Sequence, residues 1–303
     1  MAQESQTQRG AGEPARTGQP PAAAEPLAAA EPPAAAEPPE TGQLPATGPG
    51  APRYPDLAGQ VAVVTGGSRG IGAATALALA DNGVAVAVAG RDHDALDGVV
   101  KDITARGGRS IGVVADCTRE EDLRRLHDAV RAELGAADIL AAFAGGDGMP
   151  VPTVREIPAH WRSVIETDLT SAFLTVSAFL PDMVEQHRGA IITMSSAAAR
   201  QPAQSSAVYA AAKGGVIVFT RHLAREMAPD GIRVNCLAPS AVLNDKMRAW
   251  VPEAQRAALG ASFPLGRLGQ PADVASAALF LASAASAWVT GVTLDIAGGK
   301  IMV

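Results

Sequence analysis

The chain has 303 residues, 48% of them hydrophobic and 18% charged, with a formal net charge of −6. That balance argues against wholesale binding to nucleic acid or anionic lipid, because both need clustered Lys and Arg to meet phosphate charge. The only two cysteines, Cys117 and Cys236, lie in strand-like contexts with no paired spacing. Neither a disulfide framework nor a metal site is expected, and a reducing cytoplasm is.

Residues 1 to 53 hold eleven of the 22 prolines, no aromatic residue and a threefold Ala-Ala-Ala-Glu-Pro unit at 22 to 26, 28 to 32 and 34 to 38. With six Glu and three Arg they carry half of the net negative charge. Such a stretch cannot bury enough apolar surface to offset its ordering entropy, and a disordered, partly polyproline II tail is expected. It lacks the basic start and apolar core of a signal peptide. Leu44-Pro45-Ala46-Thr47-Gly48 looks like a cell-wall sorting pentapeptide but reads as coincidence in a Pro/Ala/Gly-rich linker. No unbroken run of about 18 apolar residues follows, so no membrane partner is expected.

From residue 57 onward short apolar runs alternate with longer amphipathic segments. The runs at 60–64, 84–89, 110–115, 139–143, 190–194, 233–237 and 292–296 read as strands. Helices are expected near 70–81, 94–106, 119–134, 159–186, 208–228 and 271–283. Strands that are almost continuously apolar, separated by helices, imply a parallel sheet covered on both faces. The expected fold is a doubly wound, Rossmann-like α/β domain with a seven-stranded parallel sheet over residues 54 to 303.

The first strand-to-helix turn reads Thr65-Gly66-Gly67-Ser68-Arg69-Gly70-Ile71-Gly72. Glycines here let the backbone approach a pyrophosphate, whose charge the free amides at a helix N-terminus favour. Gly66, Ser68, Arg69, Gly70, Ile71 and Gly72 are therefore candidates to bind a dinucleotide. At the end of the next strand the chain reads Gly90-Arg91, where an acidic residue would bind the ribose of NAD and an Arg the 2′-phosphate of NADP. Arg91, with Arg69 as a second cation, points to NADP(H) and leaves NAD(H) open, since a guanidinium donates two parallel hydrogen bonds to phosphate.

Downstream stand Asp116, Asp138, Ser196, the Tyr209-Ala-Ala-Ala-Lys213 motif, Arg233-Val234-Asn235, the stretch Phe263 to Pro271 and Asp295-Ile-Ala-Gly-Gly299. In this order behind the glycine turn they resemble the short-chain dehydrogenase/reductase family, over about residues 57 to 299. The nearest resemblance is to its 3-oxoacyl-carrier-protein reductase-like branch. Tyr209 and Lys213, four apart on a helix, share one face. An isolated tyrosine titrates at about 10, and a nearby ammonium favours the phenolate, so Tyr209 can exchange a proton with a substrate oxygen. The resemblance implies that Lys213 also binds the nicotinamide ribose and that Ser196 hydrogen-bonds the reacting oxygen. It further implies that Asp116 receives the adenine amino group, and that Ala144, Gly145, Pro239 and Asn244 lie along the cofactor. The expected reaction reduces a ketone to a secondary alcohol, or the reverse. A non-catalytic NADP-binding regulator or scaffold is the alternative, and a dehydratase or epimerase on the same fold is a third possibility.

Three places depart from the family pattern. Ala142-Phe143-Ala144-Gly145 stands where Asn-Asn-Ala-Gly is usual, which predicts a repacked floor with apolar contact from Phe143. Asp168 replaces the asparagine of the catalytic tetrad and brings a carboxylate near Lys213, predicting an active site with an altered pH optimum. Pro239-Ser240 replaces Pro-Gly, and Asn244 stands where a threonine usually contacts the nicotinamide amide. Residues 240 to 262, with Met247, Trp250 and Val251, are expected to cover the substrate. At the positions where true carrier-protein enzymes are often basic the chain has His187 and Asp230, with Arg188 and Arg225 nearby, so a free carbonyl substrate is as well supported as a carrier-bound one. The resemblance implies a homotetramer or homodimer formed through the helices near 159–186 and 208–228.

Overall fold

The computed structural model describes residues 52–146, 148–202 and 205–302, except the side chains of Lys246 and Trp250. Of the tail expected over residues 1 to 53, residues 1–51, with the pentapeptide, lie outside the described residues. Seven strands form one sheet: β1 (Val61–Thr65), β2 (Ala85–Gly90), β3 (Ser110–Val114), β4 (Ile139–Ala142), β5 (Gly189–Met194), β6 (Ile232–Pro239) and β7 (Thr293–Ile296). Their order is β3-β2-β1-β4-β5-β6-β7, and every neighbouring pair is parallel. This is the doubly wound sheet that the apolar strand pattern predicts, with the order reversing direction between β1 and β4.

Alternation along the strands divides the core into two layers. Ala62 and Val64 of β1 join a cluster with Ala76 and Leu79 of helix α1 (Gly70–Asp81), Leu96 of α2 (His93–Ala105) and Val274 of α9 (Pro271–Ala282). Val61 and Val63 point the other way, to Leu126 of α3 (Glu120–Glu133), Phe179 of α5 (Ser171–Gln186) and Leu223 of α6 (Ala207–Met227). A sheet covered on both faces needs apolar residues at successive positions, which explains why β1 is buried at all five.

The single helix expected over 159–186 is in fact interrupted. Helix α4 (Pro158–Ile165) passes through a π-helical turn, Glu166–Thr170, before α5 begins. A π turn adds one residue to the helical repeat, and a 3.6-residue periodicity averaged over a long window does not register it. Pro158–Gln186 is also long and apolar enough, by length and composition, to cross a membrane, although polar residues interrupt its apolar run. Here its buried residues Val164, Ala172, Val176, Phe179 and Met183 belong to the protein core. Residues 240 to 262 contain α7 (Asp245–Trp250) and α8 (Glu253–Ala261). They follow a short parallel bridge between Val242 and Gly269.

Candidate active site

The glycine turn connects the carboxyl end of β1 to the N-terminus of α1. Gly66 and Gly70 have φ of +64° and +56°, in the left-handed region that glycine tolerates without cost. Gly72 is required for a different reason: a Cβ there would lie 2.1 Å from the Gly66 carbonyl oxygen. The backbone of the turn therefore packs directly on the first turn of the helix, and the Gly67 N–H donates to Ala89 O at 3.0 Å. Ser68 seats against Gly90, where a Cβ would come within 3.3 Å of its Oγ. This tight cradle at a helix N-terminus fits a pyrophosphate.

The two candidate phosphate readers are placed differently. Arg69 forms a solvent-exposed ion pair with Asp92, the residue that also caps α2 through the Ala95 N–H at 3.1 Å. Arg91 follows the end of β2, close enough to Asp116 to act on it electrostatically. Asp116 accepts from both the Thr118 N–H at 3.0 Å and the Thr118 hydroxyl at 2.7 Å. The Thr118 N–H is the main cause that holds its carboxyl below the usual carboxylate range, with Arg91 and Arg119 adding to the effect. Asp116 is thus built into its own turn.

Where the family pattern has asparagines, hydrogen bonding comes from Thr65 instead. Its Oγ1 accepts from the Phe143 N–H at 3.1 Å and the Ala144 N–H at 3.3 Å, and its hydroxyl points toward Ala141 O at 3.4 Å. Phe143 is buried in the layer that contains Val64, Met194 and Val242. The expected floor of apolar contact is present, and a threonine hydroxyl ties it to β1.

Asp168, from the π turn, and Lys213, from α6, meet at the centre of the site. Lys213 Nζ lies 3.0 Å from Asp168 Oδ1 and donates to Met194 O at 3.0 Å, with both side chains almost fully buried. The same Oδ1 accepts from the Gly146 N–H at 2.7 Å, and the Thr167 hydroxyl donates to Oδ2 at 3.0 Å. Gly145, at φ +128°, must be glycine beside this carboxylate, because a Cβ would stand 2.7 Å from Oδ1. The ammonium is 5.7 Å from the centroid of the Tyr209 ring. Gly148 lies over that ring, its hypothetical Cβ 3.3 Å from Cε1. Ser206 fixes the start of the helix by accepting the Tyr209 N–H at 3.3 Å.

Ser196 opens a 3-10 turn, Ala197–Ala199, and its Oγ accepts from the Ala198 N–H at 3.2 Å. A hydroxyl that accepts in this way keeps its own hydrogen to donate. Pro239 ends β6, and Asn244 caps α7 by accepting the Met247 N–H at 2.8 Å. The Arg233-Val234-Asn235 motif is structural. Arg233 donates to the carbonyls of Leu281, Ala282 and Ser283 at the end of α9, and Asn235 bridges to Val289 and Val292. Gly146, Gly148, the Met194 carbonyl and the Thr65 hydroxyl join the site without having been expected there. Thr65 heads the glycine turn and the spacing Gly145-Gly146-x-Gly148 marks the two glycines, whereas nothing in the sequence marks the Met194 carbonyl. Among the described residues no group of three or more His, Cys, Asp or Glu could hold a metal ion.

Residues 66–300 match the family model described as enoyl-(acyl carrier protein) reductase. The chain is 38% identical over 250 residues to the 3-oxoacyl-[acyl-carrier-protein] reductase FabG of Vibrio cholerae, covering 82% of this chain and all of that protein. It is 40% identical over 240 residues to the cis-4-hydroxycyclohexanecarboxylate dehydrogenase of Sinomonas cyclohexanicum, covering 79% and 96%. A crystal structure of a 3-oxoacyl-[acyl-carrier protein] reductase from Brucella melitensis with bound NAD superposes with a TM-score of 0.74 at 32% identity, covering 82% of this chain and 94% of that one. With this sheet order and this glycine turn, the match places the chain in the short-chain dehydrogenase/reductase family of oxidoreductases, in its 3-oxoacyl-carrier-protein reductase-like branch.

Proposed function

We propose that the protein is an NADP(H)-dependent reductase that converts a small ketone to a secondary alcohol, or runs the reverse, in the cytoplasm. The observation that carries this reading is the fixed Lys213 ammonium beside Tyr209, held by Asp168 and Met194 O rather than left in solvent. An ammonium so held puts a fixed positive charge beside the tyrosine ring. Tyr209 then acts as acid or base toward the substrate oxygen, with Ser196 donating a hydrogen bond to the same oxygen. Gly66, Ser68, Gly70, Ile71 and Gly72 would hold the pyrophosphate part of the cofactor, and Arg91, with Arg69 as a second cation, the 2′-phosphate. Asp116, Ala144, Gly145, Pro239 and Asn244 would line the remainder. When bound, the nicotinamide supplies or takes the hydride.

A free carbonyl compound suits this chain better than a carrier-bound one. His187 lies 3.7 Å from Asp230, and Arg188 is 2.9 Å from Asp138, so both side chains already face carboxylates. The burial of Cys117 and Cys236 as free thiols fits a reducing compartment. The catalytic domain is read as residues 54 to 303, with residues 1 to 53 outside it. Phe173 on α5, Val218 on α6 and Trp161 on α4 are exposed and available to a second copy of the chain. Trp288 and Val292, ahead of β7, and Leu294 on it are exposed as well. These exposed apolar residues support assembly as a homotetramer or homodimer.

The second reading, a non-catalytic NADP-binding regulator or scaffold, draws its support from the same Asp168–Lys213 pair, which engages the lysine. One experiment separates them. Purified protein titrated with NADPH and NADH should enhance reduced-nicotinamide fluorescence preferentially with NADPH, and a panel of ketones should then oxidise it. Tyr209→Phe should abolish turnover while leaving binding intact. NADPH binding with no oxidation across the panel would favour the regulator, and equal binding of NADH would remove the role of Arg91.

A further inference from the structure

Ser196 lies on a backbone segment tied to the sheet on both sides. On the upstream side the Ser195 N–H donates to Leu237 O of β6 at 2.8 Å, and the Ser195 hydroxyl donates to Lys213 O at 2.8 Å. On the downstream side Arg200 closes the 3-10 turn that Ser196 opens. Its Nε and one terminal nitrogen donate to the two oxygens of Asp295 at 2.9 and 3.0 Å, and that nitrogen also donates to Thr293 O at 3.1 Å. Both side chains are only 15% exposed. In between, Ala197 is buried against Ala297 and Ile301 of the segment after β7. Leu237 pairs with Leu294 and Ala238 with Asp295 in the β6–β7 register, so the upstream and downstream anchors stand on adjacent strands.

A two-pronged guanidinium–carboxylate contact restricts orientation as well as distance, and lysine cannot reproduce it. We infer that Arg200 and Asp295 are positioning residues that hold the Ser196 hydroxyl in place for the reacting oxygen. The inference rests on the role of Ser196 in the reductase reading. It places control of that hydroxyl on β7, at the far edge of the sheet from the NADP turn. Neither residue touches the glycine turn, so the pair governs turnover without governing cofactor affinity.

The test compares the full-length chain with Arg200→Lys, Arg200→Met and the exchanged pair Arg200→Asp/Asp295→Arg. Loosening a positioned group costs roughly tenfold to a hundredfold in kcat, and both single variants should fall in that range. KM and the NADPH fluorescence titration should stay within about twofold of wild type, as for an interaction made only in the transition state. In a Ser196→Ala background Arg200→Met should cause no further loss, and the exchanged pair should recover part of the rate. Hydrogen exchange at amides 197 to 201 should speed up in Arg200→Met, and Arg200→Lys supplies the milder variant if the methionine chain misfolds. Unchanged kcat, a loss that multiplies with Ser196→Ala, or a loss that tracks NADPH affinity would each overturn the inference. If wild type reduces no ketone, the reductase reading fails by itself. The clamp is then decided by amide exchange, where unchanged protection overturns it.

Discussion

Lys213 and Asp168 show what a single substitution does to a buried site. An ion pair this deep depends on additional hydrogen bonds to offset its desolvation, and here the Gly146 N–H, the Thr167 hydroxyl and the Met194 carbonyl provide them. The carboxylate also sets a negative charge against the Lys213 ammonium, 3.0 Å away. Asp168→Asn keeps an acceptor for Gly146 but removes that charge. The pH optimum should therefore change, as measured by initial rates of alcohol oxidation across a buffer series. A profile that does not change would show that the Asp168 charge has no part in the reaction. Asp168 and its approach to Lys213 follow from the family resemblance, but the Gly146 N–H and Thr167 hydroxyl that satisfy the carboxylate do not, because only the π turn sets it against them. The cysteines behave as their burial requires: removal from water pushes the Cys117 thiol up to about 11, which keeps it protonated and inert.

Among the elements, α9 packs along α1, and its start is built with more care than the others. Pro271 opens it, and Asp273 Oδ2 accepts from the Gln270 N–H at 2.6 Å in a capping box. Arg267 holds the same carboxylate with bonds of 2.7 and 2.9 Å, and this is the main cause that keeps the Asp273 carboxyl below the usual carboxylate range. A carboxylate depressed in the folded state contributes stability above its unfolded value, about 3.9, and loses that contribution as pH falls through the lower folded value. Asp273→Asn should thus cost about 1 kcal/mol at neutral pH, the usual size of a cap. Thermal denaturation should show the gap between wild type and variant closing below about pH 4. A gap that persists in acid would assign the effect to packing. Strand positions and most helices are legible in the chain because apolar periodicity is local. The π turn is not, because one inserted residue barely perturbs a periodicity averaged over a helix of this length.

At the scale of the molecule, the sheet has an exposed edge at β7 and an apolar helical face on α5 and α6. Phe173 is 51% exposed and Val218 53%, while the Phe173 and Phe219 rings meet edge-on at 6.2 Å. An aspartate at either face would desolvate an unpaired charge on assembly. Phe173→Asp and Leu294→Asp should each halve the particle mass in sedimentation velocity, and the double variant should sediment as a monomer with unchanged circular dichroism. Wild type that already sediments as a monomer would end the assembly proposal. The parallel α/β class, the glycine turn and the Tyr209–Lys213 pairing are written in the chain, since each depends on spacings of a few residues that backbone geometry enforces locally. Folding alone chooses other groups those residues meet: Gly146 and Thr167 on Asp168, Thr65 beneath Phe143, Arg69 drawn to Asp92, and Arg200 on Asp295. Most of those contacts join strands and turns far apart in the chain, and only closure of the sheet and packing of its two faces fixes the distances between them.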